Sequence, residues 1–193
     1  GQSELMRTVL RRSGLAPQQV DFIEAHGTGT AVGDPVETMA IGQVYGQSRP
    51  SDRPLPIGSV KSNLGHLEAA AGVAGLIKTI LVLQHQRIPR HLHFQTLNPR
   101  IELADTPFVI PLTEQPFPAG DGPRFAGISS FGLSGMGAHA VLESAPRSEP
   151  RPPFDKPQEQ LLALSAKAAP AQRARARPSG RLDWRLLLRW LVR

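Results

Sequence analysis

Two histidines stand in short glycine-rich turns. His26 opens the run Gly27-Thr28-Gly29-Thr30, and His66 closes the run Lys61-Ser62-Asn63-Leu64-Gly65. An imidazole can donate, accept or carry a proton near neutral pH, so either could do chemistry. Each turn follows a short apolar segment and leads into a helical pattern. Loops at the ends of buried strands are where α/β chains place reactive groups. Two such loops on one sheet edge would bring both imidazoles to one point. The 193 residues include no cysteine, which excludes a thiolate nucleophile, a disulfide and a thiolate metal site within this chain.

The elements that must position these turns are legible in outline. Gly1–Arg12 reads as a helix with Leu5, Val9 and Leu10 on one face, ended by Gly14 and Pro17. Val20–Ala25 reads as a buried strand running into His26. Asp34, Pro35 and Glu37 have the spacing of a helix start with a capping box, and that helix should run to about Tyr45, with Gly46 ending it. Ile57–Val60 is a second strand. Leu67–Gln84 is the longest apolar segment, and its small residues Ala69-Ala70-Ala71-Gly72 suit a buried central helix with His66 at its N-terminus. Glu68 and Lys78 interrupt it, and it is shorter than the roughly 20 apolar residues of a membrane span. Residues 86–107 form a proline-rich loop, followed by a brief strand at Phe108–Ile110. Arg124–Ser129 and Ala138–Glu143 read as strands joined by a glycine-rich turn.

Three of these stretches carry a family resemblance. Glu24-Ala25-His26-Gly27-Thr28-Gly29-Thr30 with Gly33-Asp34-Pro35 resembles the first histidine motif of β-ketoacyl synthases. Lys61-Ser62-Asn63-Leu64-Gly65-His66 with Glu68-Ala69-Ala70-Ala71-Gly72 resembles their second. Ile128-Ser129-Ser130-Phe131-Gly132 through Ala138-His139-Ala140-Val141-Leu142-Glu143 resembles their last glycine-rich loop and strand. All three stand in the family's order, over residues 1–145, and the modular polyketide synthases are the branch they suggest.

The resemblance implies an α/β fold, the C-terminal lobe of a layered α/β/α thiolase-like architecture that is incomplete without its N-terminal lobe. It implies a decarboxylative Claisen condensation of an acyl thioester with a malonyl-type unit on acyl carrier protein, in polyketide or fatty acid assembly. His26 and His66 would then stabilise the enolate formed as carbon dioxide leaves, with His26 also activating a water, and Lys61 would hold the charge arrangement. At a helix N-terminus His66 would be held neutral by the dipole. Thr28 and Thr30 would meet the phosphopantetheine arm, and Phe131, Gly132 and Leu133 would line the acyl pocket. No cofactor and no metal is expected, since the carrier protein delivers the arm. The cysteine nucleophile would come from the N-terminal lobe, and a homodimer is expected. Met136-Gly137 depart from the family's usual Thr-Asn before Ala-His, which removes polar contacts near the site.

Rival readings make different demands. Gly27, Gly29 and Gly33 after a strand also suit a dinucleotide-binding turn, which requires an acidic residue at the end of the next strand. That strand ends at Val60-Lys61 instead. A non-catalytic interaction fragment is a second rival, and half of such a fold should expose sheet edges and apolar helix faces. His91 and His93 lack a third ligand at metal-binding spacing and read as loop residues. His85 reads as a helix-end residue and His139 as structural.

Charge separates the tail from the rest. Residues 1–146 carry 11 Lys/Arg against 12 Asp/Glu, a net of −1, while residues 147–193 carry 11 against 4, a net of +7. The nearly neutral part gives no footprint for nucleic acid. Gly1–Arg12 contains no apolar segment of signal-peptide length, and the absence of cysteine fits the cytoplasm. Residues 146–170 read as a proline-rich linker resembling the start of a ketosynthase–acyltransferase connection, with Gln160–Ala166 as a candidate strand. Residues 171–193 are arginine-rich and read equally as a frame-shifted sequence, a solvated basic tail or an amphipathic docking helix.

Overall fold

The computed structural model describes residues 1–47, 49–101, 107–118, 122–132 and 135–146. Leu133, the linker beyond Pro146, the candidate strand Gln160–Ala166 and the arginine-rich tail lie outside the described residues. Within them the chain builds α1 (Gln2–Ser13), β1 (Val20–Glu24), α2 (Gly33–Ile41), β2 (Leu55–Gly58), α3 (Lys61–Leu64), α4 (Ala71–His85), β3 (Arg87–Ile88), β4 (Phe108–Val109), β5 (Gln115–Pro116), β6 (Phe125–Phe131) and β7 (Gly137–Glu143).

β1 lies in the middle of a five-stranded sheet of order β4-β2-β1-β6-β7. Four strands are parallel, and β7 pairs antiparallel with β6. The register sets Glu24 beside Gly58 on one side and Ile128 on the other. The parallel strands β1, β2 and β6 therefore end on one edge, where an open α/β sheet places its ligands. The chain leaves β1 at His26, β2 at the Lys61–His66 turn and β6 at Phe131-Gly132.

Side chains alternate across the sheet, and the two cores follow that alternation. Ile23 and Phe125 join Met6, Leu10, Ile41, Val44 and Tyr45 under α1 and α2. Phe22 and Ala126 join Val82, Leu83, Ile88 and Phe117 under α4. Helices thus cover both faces, as the layered architecture requires. Among the described residues no helix is long and apolar enough to cross a membrane.

Several expectations need correction. α2 begins at Gly33 without a capping box, because the Asp34 and Glu37 carboxylates bond the preceding turn instead. α2 ends at Ile41, and a wider π-helical turn continues to Gly46. The second strand is Leu55–Gly58, two residues earlier than its hydrophobicity suggested. It starts where Leu55 N–H bonds Pro107 C=O beside β4, and it ends where the chain bends into α3. The segment 68–85 is not one helix: a 3₁₀ turn over Glu68–Ala70 precedes α4, so His66 stands outside the helix. α4 is also buried on one side only. Lys78, Thr79, Val82 and Leu83 face inward, whereas Val73 is 58% and Ile77 49% exposed. With Leu67, Leu76 and Ile80 these form an uncovered apolar face, as half of such a fold should show. The two-residue strand β3, inside the segment read as loop, pairs with β5, in a stretch to which no element was assigned.

His139 is structural, as its place in the terminal strand suggested. Tyr45 Oη lies 2.6 Å from its Nε2 and Ser129 Oγ 3.0 Å from its Nδ1. Burial pulls its pKa down from the usual 6.5 to about 4. A base with a depressed folded pKa gives full stability above its unfolded value and loses it as pH falls toward the folded one. In denaturant unfolding of the complete domain, His139→Gln should therefore remove about 3 kcal/mol of the wild type's pH dependence between 6.5 and 4. Identical pH profiles for the two proteins would contradict this.

Candidate active site

The first turn is shaped by two buried constraints. Gly27 has φ +48, and a Cβ there would stand 2.7 Å from Ser59 Cβ, so a side chain meets both backbone strain and a collision. Behind it Glu37, 4% exposed, accepts the N–H of His26 at 2.7 Å through Oε1 and that of Gly27 at 2.9 Å through Oε2. Asp34 Oδ1 accepts from Gly29 N–H at 3.0 Å, and Thr30 Oγ1 from Gly33 N–H at 3.1 Å. α2 thus holds the turn by its first acidic side chains. Gly27→Ala should destabilise the complete domain by about 1–3 kcal/mol, read by chemical denaturation, because neither the strain nor the contact can relax independently.

The second turn presents His66 differently. Glu68 is a non-glycine residue with φ +50, and its N–H points back to His66 Nδ1 at 2.9 Å. The left-handed conformation costs about 1 kcal/mol or more, and it gives a fixed donor to this ring. The third contributor is Phe131, at the end of β6, whose N–H donates to His26 Nδ1 over 3.4 Å.

These two bonds settle the tautomers. A backbone N–H can only donate, so each Nδ1 must offer a lone pair and each neutral ring carries its proton on Nε2. Both histidines are then Nε2–H donors. Their rings meet edge to face with centroids 5.5 Å apart, and Phe131 packs edge to face on His26 at 5.9 Å. Burial first, then the Lys61 charge, then His66 hold the pKa of His26 down to about 4. His26 is therefore neutral at pH 7.

A cleft of about 880 Å³ opens onto both rings. Its walls include His26, Thr28, Thr30, His66, Phe131 and Gly132. The structure thus gathers six of the residues singled out in the sequence. Lys61 does not line the cleft. It is half-buried at the start of α3, where burial lowers its pKa while the carboxylates of Glu24, Glu37 and Asp34 raise it. Thr30 Oγ1 is already used by the start of α2, and it lies 3.4 Å from Thr28 Oγ1.

Met136 is exposed and accepts Gly132 N–H through its carbonyl at 2.8 Å. Gly137 pairs with Phe131, and a Cβ at 137 would come within 2.9 Å of that ring. The departure at 136–137 therefore accommodates the Phe131 side chain in the position it takes beside His26.

β2 ends in Gly58, and no acidic side chain follows it to hold a ribose, so the dinucleotide reading fails on geometry. Among the described residues no group of three or more His, Cys, Asp or Glu is placed to hold a metal ion.

The family "Beta-ketoacyl synthase, C-terminal domain" matches residues 1–95, and "Ketoacyl-synthetase C-terminal extension" matches residues 98–179. The chain belongs to the β-ketoacyl synthases. Relatives of this ketosynthase segment are modular polyketide synthases. It is 50% identical over 151 residues to a phenolphthiocerol/phthiocerol polyketide synthase of Mycobacterium tuberculosis, covering 78% of this chain and 8% of that protein. It is 46% identical over 176 residues to erythronolide synthase EryA3 of Saccharopolyspora erythraea, covering 91% of this chain and 6% of that protein. Among solved structures, it is similar to the ketosynthase from module 6 of the bacillaene synthase of Bacillus subtilis, with TM-score 0.71 and 40% identity over 76% of this chain and 26% of that one. The ketosynthase chain thus spans under a tenth of these curated relatives and about a quarter of that solved domain. Its fold is the C-terminal part of the thiolase-like ketosynthase fold.

Sequence reasoning missed Glu37 and the backbone donors of Glu68 and Phe131. The signal for Glu37 was available: an acidic residue among apolar neighbours on a helix that follows a glycine turn. Its spacing from Asp34 imitates a capping box and disguised it.

Proposed function

We propose that this chain supplies the two-histidine half of a condensing site in polyketide assembly. The observation that carries the reading is the pair of imidazoles, each fixed by a backbone N–H as an Nε2–H donor, facing one cleft.

Loss of carbon dioxide from a malonyl thioester breaks the bond to the carboxylate and leaves its electron pair on the α-carbon and the thioester oxygen. Two N–H donors preset at that oxygen stabilise the enolate, and each is worth about 2.7–4 kcal/mol by comparison with oxyanion holes. The α-carbon then attacks an acyl thioester, the thiolate leaves, and a 3-oxoacyl thioester remains. His26 and His66 act as the donors. Lys61 acts at a distance, its charge helping to keep His26 neutral. Thr28 and Thr30, at the mouth of the cleft, meet the phosphopantetheine arm of an acyl carrier protein, and Phe131, Gly132 and Leu133 border the acyl pocket. The site takes no metal and no bound cofactor of its own.

The acyl-bearing cysteine belongs to an N-terminal lobe, which covers the apolar faces of α2 and α4. Residues 1–145 are the C-terminal lobe, residues 146–170 a linker resembling the start of a ketosynthase–acyltransferase connection, and residues 171–193 an arginine-rich tail, frame-shifted or native, whose first residues fall within the extension matched over 98–179. The working unit is a cytoplasmic homodimer. The complete domain, loaded with an acyl group and given malonyl-type carrier protein, should form a 3-oxoacyl thioester, detected by mass spectrometry of the carrier. This chain by itself should form none. Absence of product from the complete, acylated domain would overturn the reading.

A further inference from the structure

A charged pair lies behind the histidines, on the α4 side of the sheet. Glu24 ends β1 and is 1% exposed, and Lys78 projects from α4 with its side chain 8% exposed. Lys78 Nζ stands 2.7 Å from Glu24 Oε2, while Glu24 Oε1 accepts the N–H of Val60. The ammonium also sits 5.5 Å from the centroid of the Phe22 ring. Two glycines make room for the pair. A Cβ at Gly58 would come within 3.2 Å of Lys78 Nζ, and one at Gly75 within 3.3 Å of Glu24 Cγ.

A buried ion pair is a weak source of stability, since removing two ions from water offsets most of their attraction. Apolar side chains of similar volume would hold β1 against α4 as well or better. What apolar groups lack is a directional acceptor for a backbone N–H. Here that acceptor joins the two histidine turns. Glu24 is two residues before His26. Val60 immediately precedes Lys61 and the turn that carries His66. Lys78 belongs to α4, which the chain enters from His66.

We infer that Glu24, held by Lys78, is a positioning residue that fixes the two histidine turns at their working separation. The inference rests on the enolate-stabilising role given to His26 and His66. Neither Glu24 nor Lys78 lines the cleft, so neither touches substrate. The Glu24 charge, with those of Glu37 and Asp34, also supports the Lys61 ammonium.

The test uses the complete synthase domain containing this chain and follows carbon dioxide release from a malonyl thioester. The double variant Glu24→Leu with Lys78→Met keeps the volume, removes both charges and leaves Val60 N–H without its acceptor. It should stay folded and melt near the wild-type temperature, since relief of the buried ion pair offsets the stranded Val60 N–H, keep its KM and lose about 10-fold to 100-fold in kcat, the penalty of a small misplacement. Glu24→Gln with Lys78→Met retains an oxygen for Val60 N–H and should recover to within about threefold of wild type. A folded Leu/Met variant with wild-type kcat overturns the inference. If that variant does not fold, Glu24→Gln alone decides: it strands the Lys78 charge, and kcat should fall about tenfold at unchanged KM, whereas wild-type kcat overturns the inference. His66→Ala is measured alongside. If His66→Ala releases carbon dioxide like wild type, the histidine reading itself fails. If His66→Ala is inactive while the Glu24 variants match wild type, only the positioning role fails.

Discussion

Replacing His66 with alanine in the complete synthase domain is expected to lower the rate of malonyl-thioester decarboxylation by about 100-fold to 1,000-fold, with KM little changed. The size follows from the loss of one preset donor to an oxygen that is charged only as carbon dioxide leaves. The donor is preset because Glu68 N–H holds Nδ1, so Nε2 keeps its proton without reorganisation. His26→Ala should cause a loss of the same order, because Phe131 N–H sets its tautomer in the same way. The double variant should lose less than the product of the two, since residues acting on one oxygen as a unit are not additive. Decarboxylation that survives unchanged in both single variants would remove the enolate role from this pair.

Glu37→Ala should produce the second large effect, and it should act through structure. The carboxylate accepts two backbone N–H groups, those of His26 and Gly27, while buried beneath the turn. Burial raises its pKa to about 6, and the two N–H bonds pull against that rise, so it is largely ionised at neutral pH. Charge-assisted bonds of this kind contribute about 1.5–3 kcal/mol each, and truncation leaves two half-buried donors without partners. The expected outcome is a loss of about 3–5 kcal/mol in stability of the complete domain by denaturant titration, with decarboxylation falling in the molecules that remain folded. Glu37→Gln should be milder in stability, since one oxygen still accepts, but it turns an amide N–H toward one of the two donors. A Glu37→Ala domain with wild-type unfolding midpoint and wild-type turnover would contradict the support assigned to this residue.

The sequence made the two histidine turns visible because their signals are local. A strand ending in Ala25-His26-Gly27 and a helix after Gly65-His66 can each be read from a handful of neighbours. The same holds for β6 and β7, whose apolar runs flank a glycine turn. Partners far apart in the chain were not legible. Tyr45 meets His139 across 94 residues, and nothing near either announces the other. The Glu24–Lys78 pair was hidden for the same reason, and Lys78 read only as an interruption of an apolar segment. Glu37 was misread because its spacing from Asp34 fits a capping box, while the fold turns both carboxylates to the preceding loop. α4 was expected to be a buried central helix, and one apolar face of it is exposed because only the side bearing Lys78, Thr79, Val82 and Leu83 packs on the sheet. The break between His66 and α4 had no composition signal, since a non-glycine residue at φ +50 is set by its surroundings rather than by its own preference.

Both histidines offer Nε2–H to one cleft, because a backbone N–H occupies each Nδ1. The most direct measurement is histidine ¹⁵N NMR on the complete domain, with His26 and His66 assigned through single substitutions. The neutral form of each ring should carry its proton on Nε2 and none on Nδ1, and His26 should stay in that form from pH 7 until the pH approaches about 4. A neutral ring with its proton on Nδ1 in either histidine, or a His26 imidazolium at neutral pH, would contradict the account.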